Sequence, residues 1–403
     1  MHAFVVDGLR TPIGRYGGSL SGIRADDLAA LSIKALLERN PGLDPAGLDE
    51  VVFGNTNQAG EDSRNVARMA GLLAGVPETV PAITVNRLCA SGLDAVAVAA
   101  TNIQANGNDV AIAGGVESMS RAPFVMPKPE TAFSRQTKIY DTTIGWRFEN
   151  PALEAAYGTE SMPQTADNVA EKYGVNRADQ DAFALRSQAR WKRAHDAGVF
   201  AEEILPVTIP RRKADPVIFD TDEHPRPNTE LESLARLRAI NGPGKTVTAG
   251  NASGVNDGAA ALLLASSQGC ARHGLKPIAK IVGAASAGVS PSLMGIGPVP
   301  AVRKLLDRTG VSIDEIDVIE LNEAFASQGI AVLRELGIAE DSERVNPNGG
   351  AIAMGHPLGM SGARLVLTAA RQLARVQGRF ALCTMCVGVG QGVALLLSKV
   401  SDT

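Results

Sequence analysis

The feature that most constrains this chain is that it repeats itself. Leu36-Leu37-Glu38-Arg39 returns as Leu305-Leu306-Asp307-Arg308, and Leu48-Asp49-Glu50-Val51-Val52-Phe53 returns as Ile316-Asp317-Val318-Ile319-Glu320-Leu321. Val85-Asn86 returns as Val345-Asn346, Ser91-Gly92 with a small-residue helix as Ser361-Gly362 with a helix, and Ala111 to Gly115 as Leu382 to Met385. The offset stays at roughly 260 to 270 residues throughout. A duplicated unit of this kind predicts two similar α/β halves about a pseudo-two-fold axis, with equivalent helix starts facing a shared centre. The second copy carries about ten extra residues before its Ser-Gly, and His356 lies among them.

Within the first copy, apolar runs and glycine turns predict strands at Ala3 to Val6, Leu48 to Gly54, Ala82 to Asn86 and Asp109 to Gly114. Helical patterns run from Asp26 to Glu38, Ser63 to Leu73 and Ser91 to about Gln104. Such alternation reads as a largely parallel sheet. Ser120 to about Lys245 has no counterpart in the second copy and holds both tryptophans with Pro123, Pro127, Pro129, Pro151 and Pro163, which reads as an inserted lid. The expected division is residues 1–119 with 246–272 as the N-terminal α/β half, 120–245 as the loop or lid domain, and 273–403 as the C-terminal α/β half.

Composition excludes several classes. With 45% hydrophobic and 20% charged residues the chain is a compact folded protein. Its net charge of −4, from 39 basic and 43 acidic residues, suits neither nucleic acid nor an anionic membrane as partner. Four cysteines are too few for a disulfide framework in a chain this long, so each thiol needs its own explanation. Met1 to Pro12 lacks the features of a secretory signal, no run reaches membrane-spanning length, and the final Ser-Asp-Thr is no address tag; the cytoplasm is the expected location.

Three stretches carry the chemistry. Asn348 to Gly362 reads N-G-G-A-I-A-M-G-H-P-L-G-M-S-G, a loop so poor in side chains that its single imidazole is presented rather than packed. His356 stands between Gly355 and Pro357 with no second histidine or carboxylate cluster beside it, which favours a base for a thiol over a zinc ligand, with a hydrogen-bonded structural histidine as the bland alternative. Cys89, in N-R-L-C-A-S-G, sits at a strand-to-helix switch, where a helix start is expected to lower a thiol's pKa; the alternative is an inert buried thiol. Cys386, in C-V-G-V-G-Q-G, closes a strand together with Cys383, so the C-x-x-C reading as a redox motif is weak, and the amides of the glycine turn could form an oxyanion hole. Asn322-Glu323-Ala324-Phe325 ends a strand where open α/β sheets bind ligands, and Gly250 to Gly254 is a small-residue loop that could accept a pantetheine arm. The basic run from Arg211 to Arg238 is either a solvated face or a seat for the phosphates of a nucleotide.

These motifs, in this order along nearly the whole chain, resemble the thiolase family. The resemblance implies a duplicated α/β fold with a five-layered α-β-α-β-α core and an inserted loop domain, assembled as a dimer or tetramer. It implies acyl-CoA substrates, coenzyme A as co-substrate and no permanently bound cofactor or metal. By motif, Cys89 would be acylated, His356 would activate it and the incoming coenzyme A, and Cys386 would exchange a proton with the acetyl-CoA methyl carbon. Asn322 would hold a water beside His356, and the amides of Cys89 and Gly388 would stabilise the tetrahedral oxyanion. Ser253, Arg226, Met162, Ala324 and Phe325 match positions that contact the coenzyme A moiety or the acyl pocket. One departure is Ser161-Met162, where many acetoacetyl-CoA thiolases have His-Met. The segment Tyr140 to Phe148 looks most like the branch that cleaves 3-oxoadipyl-CoA, whose terminal carboxylate Arg147 or Arg135 could pair with. A general acetyl-CoA acetyltransferase or fatty-acid 3-ketoacyl-CoA thiolase is the runner-up; an acyl-CoA carrier on the same fold and a Cys89–Cys386 redox switch are the alternatives of other kinds.

Overall fold

A computed structural model describes residues 1–400; the closing Ser401–Thr403, read above for an address tag, lie outside the described residues. A ten-stranded sheet organises the chain: β1 (Ala3–Arg10), β2 (Gly14–Arg15), β3 (Glu50–Gly54), β4 (Ala82–Val85), β5 (Val110–Ser118), β6 (Asn256–Ser266), β7 (Ala279–Gly288), β8 (Val318–Leu321), β9 (Phe380–Val387) and β10 (Gln391–Ser398). The order is β8-β9-β10-β7-β1-β6-β5-β3-β4, with β2 paired to the start of β6. Reading outward from the central β1–β7 pair, the two directions match for three strands each, and edge strand β4 is answered in the second half only by an isolated parallel bridge between Ile319 and Val345. The central pair is antiparallel, with Ala3 opposite Ile281 and Val5 opposite Ala279.

The sheet is more antiparallel than the sequence suggests. Only β3 with β4 and β5, and β8 with β9, run parallel. The reason lies in where the chain returns. β5 ends at Ser118 opposite Asp257 at the start of β6, so the intervening segment leaves and re-enters at one point and β6 must run back beside β5. In the second half the same place is bridged by Gly388-Val389-Gly390 alone, with Val387 opposite Gln391. A long insertion and a tight turn therefore occupy equivalent corners.

Alternation along the strands dictates the layers. Val51, Ile112 and Leu263 face out under helices α1 (Ala25–Arg39) and α2 (Val66–Leu73), while Val52, Ala113 and Leu262 face in, against α3 (Ser91–Gln104). In the insertion, α4 (Met162–Lys172) and α5 (Arg177–Asp196) are the main helices. In the second half, Ile319, Leu382 and Leu396 pack beneath α6 (Pro298–Thr309) and α7 (Ala326–Glu335), and Cys383, Val393 and Leu395 face α8 (Leu358–Arg375). Helices α3 and α8 thus form a central layer between the two wings of the sheet, giving five layers. Buried Arg10 of β1 ties the insertion to this core through Glu203 (2.9 Å) and Asp222 (2.6 and 3.1 Å).

The central layer is closed by glycine. A Cβ on Gly92 would strike the carbonyl of Gly359; one on Gly359 would strike Val116 O; one on Gly362 would strike the backbone of Leu93. The starts of α3 and α8 therefore touch backbone to backbone. Replacing Gly359 by Ala should gain up to about 1 kcal/mol of helix propensity but lose more, about 3 kcal/mol, to overpacking against fixed backbone. The expected result is a lower melting temperature for Gly359→Ala, with Gly22→Ala, at a position open to solvent, unchanged as control.

Candidate active site

The two helix starts bring two loops together. Cys89 lies two residues before Ser91, the first residue of α3, and His356 lies two residues before Leu358, the first residue of α8. The duplicated helix starts thus present a thiol from one half and an imidazole from the other, although His356 itself stands among residues the first copy lacks. At the thiol the turn is strained: Leu88 adopts the left-handed region (φ 47°), a costly conformation for a bulky residue. It is held there because its N–H donates to Asn86 Oδ1 (2.8 Å) and its carbonyl accepts from Thr56 Oγ1 (3.0 Å) and Ser91 Oγ (2.6 Å). The strain aims Cys89 into a cavity of about 350 Å³ lined also by Thr56, Leu88, Glu117, Met162, Leu358 and Gly388.

The electrostatics at Cys89 differ from expectation. The backbone N–H groups of Gly388 and of Cys89 itself are directed at its sulfur and favour the thiolate, but burial outweighs them and, with the charge of Glu117 adding, pushes the thiol up to about 11. A helix start alone does not activate this cysteine: no cation contributes to its shift, and burial outweighs the two N–H groups. Cys386 is fully buried against Ala252, Ala324, Phe325 and Met162, and that apolar packing, with Cys89 nearby, raises its thiol strongly too. Cys383, three residues earlier on the same strand, faces the opposite, central layer, so the two cannot act as a dithiol pair. All four cysteines are free thiols.

His356 is buried, and its protonation pattern follows from its partners. Ser361 Oγ donates to the carbonyl of Pro357 (2.8 Å) and lies 2.6 Å from Nδ1. A hydroxyl has one proton, so Ser361 accepts from Nδ1–H, and the bare lone pair is on Nε2. Asn322 Nδ2 lies 3.4 Å from that Nε2, while Asn322 Oδ1 is buried without a partner among the described residues. Burial and the Arg364 cation push the imidazole down to about 3, so it is a neutral base across the physiological range. The backbone N–H of His356 donates to Asn256 Oδ1 (2.9 Å), and Gly355 (φ 107°) has no room for a Cβ against that side chain.

The remaining sequence candidates divide. Ala324, Phe325 and Met162 pack with Cys386, and Ser253 N–H donates to Ala324 O (2.9 Å). Glu323 does not point into the cavity; its oxygens accept from Ser187 Oγ, Asn346 Nδ2 and Ile352 N–H, bracing the loop before His356. Arg226 is exposed and does not line the cavity. Arg147 does line it, together with Thr142 to Trp146, whereas Arg135 sits on a fully exposed run and is not brought there. Two residues escaped the sequence reading. Ser361 stood in plain view at the repeat, equivalent to Ser91, and Glu117 is a buried carboxylate at the end of β5 that nothing in V-E-S marks out. Among the described residues no group of His, Cys, Asp or Glu is placed to hold a metal, and no helix is long and apolar enough to cross a membrane.

A duplicated layered α/β fold with thiol and imidazole at facing helix starts, and a second thiol on the adjoining strand, defines a small class of proteins. The sequence matches the thiolase N-terminal domain over residues 3–268 and the thiolase C-terminal domain over residues 275–399, and the chain belongs to the thiolase family. It is 68% identical over 397 residues to a beta-ketoadipyl-CoA thiolase of Pseudomonas aeruginosa, covering 98% of this chain and 99% of that one. It is 61% identical over 398 residues to a 3-oxoadipyl-CoA/3-oxo-5,6-dehydrosuberyl-CoA thiolase of Escherichia coli strain K12, covering 99% of each. The crystal structure of human mitochondrial 3-ketoacyl-CoA thiolase in complex with CoA superposes with a TM-score of 0.91 at 39% identity, over 99% of this chain and 98% of that one.

The tautomer assignment is testable. Ser361→Ala removes the acceptor for Nδ1–H, so the proton can move to Nε2 and the base is lost; turnover should fall roughly 10- to 100-fold with near-UV circular dichroism unchanged. Iodoacetamide alkylation of Cys89 in the free protein, followed by peptide mass spectrometry, should still be rising at about pH 10, beyond the ordinary thiol range.

Proposed function

We propose that this enzyme cleaves 3-oxoadipyl-CoA with coenzyme A, giving succinyl-CoA and acetyl-CoA. The observation that carries the reading is that one cavity is lined by both Cys89 and Arg147, the only cation among its described lining residues. Full-length relatives at 59 to 68% identity are named beta-ketoadipyl-CoA thiolases, which supports the same substrate. That substrate carries its terminal carboxylate on the acyl half, and a guanidinium suits such a group. Ser161 also lines the cavity, and a small residue there leaves length for a dicarboxylic chain.

The resting protonation states suggest the sequence of steps. His356 Nε2 takes the Cys89 proton as the sulfur attacks C3 of the substrate. Thiolate and imidazolium then form together, so neither charge is buried alone. The C3 oxyanion is held by the N–H groups of Cys89 and Gly388, each worth about 3 kcal/mol in the barrier. Collapse breaks the C2–C3 bond, the electron pair passes to C2, and the thiol of Cys386 protonates that carbon, releasing acetyl-CoA. Cys386 suits the donor role because burial keeps it protonated. Asn322 beside Nε2 would steady the enolate oxygen through a water. A coenzyme A thiol gives its proton to the Cys386 thiolate left by protonating C2 and attacks the succinyl-Cys89 thioester; Cys89 leaves as the thiolate and regains its proton from the His356 imidazolium. Ser253 and Arg226 would hold the pantetheine and nucleotide of coenzyme A, a co-substrate rather than a resident cofactor. We also propose a cytoplasmic homo-oligomer, dimer or tetramer; the exposed Phe124, Met126, Phe133 and Ile139 supply an apolar surface for assembly.

Initial rates of coenzyme A-dependent cleavage test the substrate. The value of kcat/KM for 3-oxoadipyl-CoA should exceed that for acetoacetyl-CoA. Arg147→Ala should lower it roughly 10- to 100-fold for the dicarboxylic substrate, the worth of a charge-assisted hydrogen bond, and less than about threefold for acetoacetyl-CoA. Equal losses on both would remove Arg147 from substrate recognition.

A further inference from the structure

The Cys89 turn, the lid and the His356 helix come from three separate parts of the chain, and one carboxylate is linked to all of them, to the helix directly and to the other two through Thr56 and Asn57. Glu117 is 2% exposed, reaches the cavity wall, and stands opposite Gly258 of β6. Its Oε2 accepts the backbone N–H of Thr56 (3.0 Å) and of Gly359 (2.8 Å), and its Oε1 accepts that of Asn57 (3.1 Å). Each of these donors leads to a different piece of the site. The Thr56 hydroxyl donates to the carbonyl of Leu88, next to Cys89, and the Thr56 carbonyl accepts from Asn86 (3.1 Å). The Asn57 side-chain amide donates to the carbonyl and hydroxyl of Thr142 in the lid (3.0 and 3.1 Å). Gly359 lies in the first turn of α8, three residues beyond His356.

The charge of this clamp matters as well as its shape. Facing Glu117 are Asp62 from the loop after β3, Cys89 from the turn before α3, and Arg147 and Glu160 across the cavity from the lid; α8 offers it only the backbone N–H of Gly359. Burial and Asp62 push Glu117 up to about 7 against the pull of its three amides, and its negative form opposes a thiolate at Cys89. No step proposed above passes a proton through it.

We propose that Glu117 is a positioning residue of the acyl-transfer site: it fastens the Cys89 turn, the lid and the His356 helix to one another, and its negative form, facing Cys89 across the same cavity wall, adds to burial in opposing a thiolate there in the free enzyme. The positioning half rests on the acyl-transfer reading given above; the charge half is read on the free enzyme and stands apart from it.

Two variants separate shape from charge. Glu117→Gln keeps the size, loses the charge and turns an NH₂ toward at least one N–H donor. Glu117→Asp keeps the charge but is one methylene short of its donors. Both are measured for steady-state thiolysis alongside wild type, and for the pH dependence of Cys89 alkylation by iodoacetamide, read on the Cys89 peptide. Both should lose kcat roughly 10- to 100-fold with KM changed less than about threefold. The alkylation profile should move about one unit toward acid in the Gln variant alone and stay in place in the Asp variant. An unmoved profile in the Gln variant, an equal movement in both, or kcat within about threefold of wild type overturns the proposal. If the Gln variant does not fold, the Asp variant decides: lost kcat with an unmoved profile supports the clamp, and intact kcat or a moved profile overturns it. Inactive wild type with a shifted Gln profile would instead fault the acyl-transfer reading and leave the charge effect standing.

Discussion

Backbone contact between the starts of α3 and α8 is the constraint from which the rest follows. Gly92 meets the carbonyl of Gly359, Gly362 meets the backbone of Leu93, and Gly115 meets Gly359 again from β5. A side chain at any of these points would separate the helices, and interiors packed at crystal density do not absorb such a gap. Because the helices cannot separate, the loops entering them cannot either. The loop entering α3 ends in Cys89 and the loop entering α8 ends in His356. In the proposed mechanism the placing of the thiol and the imidazole is therefore a property of the core rather than of flexible loops, which suits chemistry that depends on orientation.

Burial then sets the protonation states. Both thiols are pushed up and the imidazole is pushed down, so the resting site holds two acids, one base and no charge on any of the three. In the proposed steps charge appears only when a proton moves, as a pair in a medium where attraction is strong. The polar atoms around the pair are already oriented: two N–H groups at Cys89, Ser361 at Nδ1 and Asn322 at Nε2. Such preorganisation lets burial help catalysis instead of opposing it.

The duplication and the insertion were legible, and the candidate residues stood out, because each is a local signal: repeated strand and helix starts, a segment without a partner, glycines around a lone imidazole. What was not legible depends on where distant segments arrive. β6 and β10 run antiparallel to their neighbours because of the corner at which the chain returns, which no strand pattern encodes. Arg147 and Arg135 are alike in sequence, yet the pairing of Phe124–Val125 with Tyr140–Asp141 swings the first back to the cavity and leaves the second in solvent. The thiol of Cys89 was expected to be acidic from the helix start alone, a local argument that burial overrules. Glu117 makes its bonds to residues 60 positions before it and 242 after it, so only the fold shows its role.

The most direct measurement is to mix the enzyme with 3-oxoadipyl-CoA in the absence of free coenzyme A, quench in acid and map the acyl group by peptide mass spectrometry. A succinyl thioester on Cys89, absent from Cys270, Cys383 and Cys386 and lost on adding coenzyme A, is the predicted result. An unmodified Cys89 in enzyme that turns over, or an acyl group on another cysteine, would contradict a site built from the two facing helix starts.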